Sequence, residues 1–142
     1  MKKSIVLILM LLTTIISYSQ PRPKRFDPKR FEIEIRQYIT TEAGLTPVEA
    51  AAFFPIYEEM QQKQRILFEK MRSFRFVDTS DNKASLQAIK QMDAIDLEMK
   101  KMQRDYHLKF CKVLPPGKVL EVLKADERFH RKTFMGMFKK RK

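Results

Sequence analysis

In 142 residues the chain has no tryptophan, three glycines, one cysteine and two histidines, and its acids are outnumbered 17 to 29 by lysine and arginine. Each shortage excludes something. One cysteine cannot build an intramolecular disulfide framework. Gly44, Gly117 and Gly136 stand apart, so there is no glycine loop to cradle a phosphate and no G-x-S-x-G nucleophile elbow. With His107 and His130 as the only imidazoles, general-base chemistry is thinly supplied, and the expectation is a protein that is not an enzyme. The longest apolar run, Ile5 to Ile16, falls short of the roughly 20 residues that a membrane-spanning helix needs.

That run follows Met1-Lys2-Lys3-Ser4 and precedes Ser17-Tyr18-Ser19-Gln20. A positive start, a short apolar core and small residues at −3 and −1 are what a secretory translocase and its peptidase read. Residues 1–19 are therefore expected to be a signal peptide cleaved near Ser19-Gln20, placing the product in the periplasm. Cleavage there would leave 27 basic and 17 acidic residues, a formal charge of +10. A lipoprotein is disfavoured, because the only cysteine, Cys111, is far from the apolar core.

Composition favours helix, being rich in Met, Leu, Lys, Glu and Gln. Residues 20–27 are proline-rich and basic, an extended leader. Asp27-Pro28 offers an N-cap and a proline at N1, and Phe31, Ile35 and Ile39 then continue to about Ala43, with Gly44 as the stop. In Leu45-Thr46-Pro47-Val48-Glu49 the Thr46 hydroxyl can cap the third helical amide while Glu49 reaches back, a capping box with proline at N1. The helix it opens carries Ala50, Phe53, Phe54, Tyr57, Met60, Gln64, Leu67, Phe68, Met71 and Phe74 to about Phe76, with a kink expected at Pro55. A polar break at residues 78–82 separates it from a third helix. Leu86, Ile89, Met92, Ile95, Met99, Met102, Tyr106, Phe110 and Val113 read there as one stripe. Leu114-Pro115-Pro116-Gly117 ends that helix and opens a fourth, bearing Val119, Leu120, Leu123, Phe129 and Phe134. Residues 28–138 thus form one all-α domain of four helices, two of them long and amphipathic, followed by a basic tail at 139–142. The helices can close as a compact bundle, or form a thin helical hairpin that completes its core by dimerising.

These features resemble the Spy/CpxP group of periplasmic stress proteins, whose members carry LTxxQ motifs at two helix starts. The resemblance covers roughly residues 28–138. Leu45, Thr46 and Glu49 match the first motif with Glu49 in place of glutamine. The second keeps Leu114, with Pro115 for threonine and Lys118 for glutamine, and Pro47 and Pro116 start the two helices. The resemblance implies a cradle-shaped antiparallel homodimer that acts without ATP, as a chaperone or as an inhibitor of an envelope sensor kinase, with zinc-responsive roles also known in the group. Similar small exported proteins are described as sensors of extracytoplasmic sigma factors.

The residues themselves favour binding over catalysis. Methionine and phenylalanine on a concave, cationic face can repack around varied apolar segments, so Phe53, Met60, Met71, Phe74, Met92 and Met99 are candidates for an exposed surface that holds unfolded or regulatory protein segments. The competing assignment for any one of them is plain core. His107 and Cys111 stand four apart on one helix and are the candidate ligands for a zinc shared with a partner chain, although two ligands do not make a structural site. Asp126 and His130 repeat the spacing. A packed cysteine and a rim histidine are the bland alternative, and an intermolecular disulfide through Cys111 is a third. No other cofactor is expected. Export makes nucleic acid an improbable polyanion, so the basic tails are expected to meet anionic lipid, if anything.

Overall fold

A computed structural model describes residues 27–139, with side chains through residue 136. The expectations for the export segment, the leader before Asp27 and the last three residues of the tail fall outside that range. Among the described residues there are four helices and no strand, an all-α fold. They are α1 (Pro28–Glu42), α2 (Pro47–Ser73), α3 (Asn82–Val113) and α4 (Pro116–Lys139), with a 3-10 turn at Phe74–Phe76 closing α2. The chain divides after Phe31, so the account of packing concerns the compact unit from Glu32 onward.

Local chemistry explains each helix end. The Asp27 carboxylate accepts from the amides of Lys29 and Arg30, capping α1. Gly44 terminates α1 with φ +59, a left-handed conformation that glycine adopts without Cβ strain. The Leu45 amide donates to the Thr40 carbonyl and the Gly44 amide to that of Thr41, the paired bonds of a Schellman stop. α2 then opens with both halves of the capping box in place: the Glu49 amide to Thr46 Oγ1 at 3.2 Å, and the Thr46 amide to Glu49 Oε2 at 2.9 Å. Asp81 caps α3 by accepting from the amides of Lys83 and Ala84. α2 runs on through Pro55, which is exposed.

α2 and α3 pair as an antiparallel hairpin. Phe53 meets Phe110 edge to face with centroids 4.8 Å apart, and Tyr106 donates to Glu59 at 2.6 Å. Further out, Phe74 of the terminal turn and Ile95 line one groove. The seam residues on α2 (Phe53, Tyr57, Met60, Gln64, Leu67, Met71, Phe74) alternate steps of four and three, and so do Ala88, Met92, Ile95, Met99, Met102 and Tyr106 on α3. That seven-residue period is a coiled-coil seam, which covers only a narrow strip of each helix.

At its base the hairpin is thickened by α1 and α4. Arg36 on α1 lies over the Phe54 ring at 4.6 Å and pairs with Glu58. Tyr38 packs on Phe129 of α4 at 5.4 Å, and Arg128 reaches Glu42. The largest fully buried side chains, Phe53, Phe54, Phe110, Ile39 and Val122, all sit in this body. Between residues 61 and 105 only Leu67, Ala88 and Met99 are buried.

Two expected stripes need correction. Leu86 and Ile89 do not share the α3 seam; they are exposed on the other side. Leu86, Ile89, Met92 and Ile95 advance by threes, and three such steps turn the helix through about 900°, half a turn beyond two full ones. Leu86 therefore faces away from Ile95, and Ala88 takes the seam position. On α4, Leu120 and Phe134 are likewise exposed, while Val122 and Ala125 join Val119 and Phe129 inside. Small residues at three- and four-residue steps carried the α4 core there, and bulk alone pointed to the wrong face.

Candidate functional site

The two helix-start segments are brought together. Leu45 and Leu114 are both buried. Lys118 Nζ contacts Glu49 Oε2 at 2.5 Å and the Gly44 carbonyl at 3.0 Å. Glu49 thus serves the Thr46 amide and the Lys118 ammonium at once. The Lys118 hydrogen bond, followed by that from the Thr46 amide, holds its carboxyl below the ordinary carboxylate range. The two positions that depart from the glutamine of the resembled pattern, Glu49 and Lys118, neutralise one another across the fold.

This pair has a regular geometry. Glu49 and Lys118 are 69 residues apart, and so are Tyr57 and Asp126, which also bond. The same offset relates Leu45 to Leu114 and Pro47 to Pro116. α4 therefore runs alongside α2 in the same direction over these turns. Tyr57 is buried and donates to Asp126 at 2.5 Å, and burial, then the Asp126 charge, pushes its phenol far above the usual range. Asp126 also holds His130 Nε2 at 3.4 Å, the first cause of that imidazole's raised pKa. His107 is half-buried, and burial pushes its pKa down. Cys111 is exposed. No group of three or more His, Cys, Asp or Glu side chains is gathered for a metal ion among the described residues, so a cation at His107 and Cys111 would have to draw ligands from another chain.

The candidate client-contacting residues divide. Phe53, Met60 and Met99 are buried and form no surface in this state, which corrects the expectation of exposure for them. Phe53 is the centre of an aromatic cluster with Phe54, Tyr57 and Phe110. Met71 and Phe74 are half-buried and Met92 is exposed. Phe74 helps line a shallow groove of about 390 Å³ with Lys70, Ser73, Gln91, Ala94 and Ile95.

The open apolar surface lies elsewhere. Ile66, Phe68 and Phe76 are exposed on α2 and its terminal turn. On α3, Leu86, Leu97 and Leu108 are exposed at 54, 73 and 60 %. They stand eleven residues apart, three turns plus about 20°, and so form a nearly straight row opposite the seam. The eleven-residue spacing was legible in the sequence but is hidden by any search for steps of three and four. No described helix is long and apolar enough to cross a membrane. No family model, curated protein or solved structure matches the chain.

Proposed function

We propose that the protein is a periplasmic, ATP-independent chaperone of the Spy/CpxP kind, which holds non-native or regulatory protein segments on the distal part of the α2–α3 hairpin. The observation that carries this reading is the surplus of apolar surface there. A coiled-coil seam buries one narrow strip, and Ile66, Phe68, Leu86, Ile89 and Leu97 are left in water among Lys70, Lys90, Lys100 and Lys101. Exposed apolar surface rimmed by charge is typical of protein-binding sites, and the cations would speed encounter with acidic or unfolded chains. The groove beside Phe74 offers a place for one apolar side chain of a client.

The row Leu86, Leu97 and Leu108 supports a homodimer in which α3 pairs with α3 of a second copy, antiparallel about Leu97. Leu86 then meets Leu108 of the second copy, and Asp93 comes opposite Lys101 of the second copy, while Lys90 comes opposite Arg104 and is the one unfavourable pair on this face. A parallel pairing would instead set each charge against its own like.

Mature protein, residues 20–142, is expected to slow aggregation of several unrelated unfolded proteins at near-stoichiometric ratio without nucleotide. Failure with every one, together with tight binding to a single envelope regulator, would replace this reading by that of a dedicated stress sensor. The zinc-responsive variant of either reading is tested by titrating zinc into wild type and into His107→Ala and Cys111→Ser.

A further inference from the structure

Along the outer edge of distal α2, Arg65, Phe68 and Arg72 follow at steps of three and four and so share one face, and Arg75 comes three residues later in the terminal 3-10 turn. Phe76 follows Arg75 directly, in the turn at the end of the hairpin. Phe68 is 57 % and Phe76 84 % exposed, the latter the most exposed large apolar residue among those described. The three arginines are also distinctive in what they lack. Arg36, Arg104, Arg128 and Arg131 each hold a carboxylate within 3.1–3.8 Å. The side chains of Arg65, Arg72 and Arg75 have no carboxylate or hydrogen-bond partner among the described residues. On the body, Phe54 lies on the same side of α2 and is covered by Arg36 of α1; beyond α1 no described helix covers that side.

We infer that this stripe is a docking surface for an anionic lipid bilayer. Guanidinium groups bind phosphate bidentately, and phenyl rings beside them would enter the boundary between headgroups and acyl chains. The stripe lies on the outer side of α2 and ends at a turn, and none of its residues lines the shallow groove beside Phe74. Acids nearby are few and mostly occupied: Asp78 is bonded to Ser80, and Asp81 caps α3. On this stretch of α2, Glu69 is exposed and stands four positions past Arg65 and three before Arg72, outnumbered by the arginines beside it. The inference shares Phe68 with the proposed client surface but is carried by the arginines, and it rests on the export reading only for placing the protein beside a membrane.

The test is co-sedimentation of residues 20–142 with vesicles of phosphatidylcholine containing 30 mol% phosphatidylglycerol (a composition on the order of that of anionic cell membranes), and with pure phosphatidylcholine. Binding is expected only to the anionic vesicles and should weaken with salt. The triple variant Arg65→Gln, Arg72→Gln, Arg75→Gln should lower the partition coefficient on the order of 100-fold, about fivefold for each arginine, and Phe68→Ala with Phe76→Ala several-fold. Circular dichroism checks folding, and single Arg→Gln variants replace the triple one if it unfolds. Unchanged binding by the arginine variants overturns the inference. So does wild type that ignores vesicles yet loses an acidic unfolded client on the same substitutions, which would make the stripe a protein surface. An arginine variant that loses vesicles and keeps aggregation suppression separates this inference from the chaperone reading.

Discussion

The base and the far end of the α2–α3 hairpin are built from the same two helices with the same seam period, yet they are physically different objects. At the base, α1 and α4 cover the sides of the seam, and Phe53, Phe54, Phe110 and Val122 are wholly buried. Polar groups there are paired between helices: Tyr57 with Asp126, Arg36 with Glu58, Arg128 with Glu42 and Lys118 with Glu49. At the far end no described helix covers the sides, and Ile66, Phe68, Phe76, Leu86 and Leu97 face water. The difference teaches that an amphipathic helix acquires a core or a binding surface according to its neighbours, since burial stabilises by roughly 25 cal/mol for each Å² withdrawn from water.

The largest expected effect is on stability at the base. Phe110→Ala should cost about 3–5 kcal/mol, because the cavity left between Phe53 and Tyr106 cannot collapse fully. Phe76→Ala should stay within about 0.5 kcal/mol, as substitutions at exposed sites do. Urea denaturation of both variants checks the contrast, and equal losses would show that the far end is as tightly packed as the base.

An intermediate effect concerns assembly. Leu97→Arg should convert dimer to monomer in light scattering while leaving helicity intact, since it places like charges opposite one another at the centre of the proposed α3 pairing. Oxidation should not join two copies through Cys111, which the antiparallel arrangement sets at opposite ends. Ready formation of that disulfide would favour a parallel pairing instead.

The smallest effect is electrostatic. Glu49 has its folded pKa depressed by Lys118 and the Thr46 amide, so the stability it contributes is present above its unfolded carboxylate value and is lost as pH falls through the depressed folded one. Lys118→Met should therefore flatten the acid limb of a thermal-stability profile and lower Tm near neutrality by about 4 °C. Glu49→Gln combined with Lys118→Gln should recover part of that loss, which a double-mutant cycle would read as coupling.

Much of the architecture was legible from residues alone. Thr46, Pro47 and Glu49 form a signal that depends on four consecutive positions, and Gly44 and Pro116 mark a stop and a start by backbone geometry. Such local chemistry works the same way in any fold. The candidate binding surface was less legible. Phe53, Met60 and Met99 look as exposed in sequence as Phe68 and Leu97, because hydrophobicity tells that a residue can be buried and not whether a neighbour arrives to bury it.

The sequence by itself determined the helix ends and the class of fold, since hydrogen-bond capping and helical periodicity act over a few residues. Only the tertiary structure decided that Glu49 answers Lys118 across 69 residues, that Tyr57 is tied to Asp126, and that α1 and α4 shelter one end of the hairpin while leaving the other open. Those outcomes depend on which helices meet, and that is set by the summed packing of the whole unit and not by any short segment.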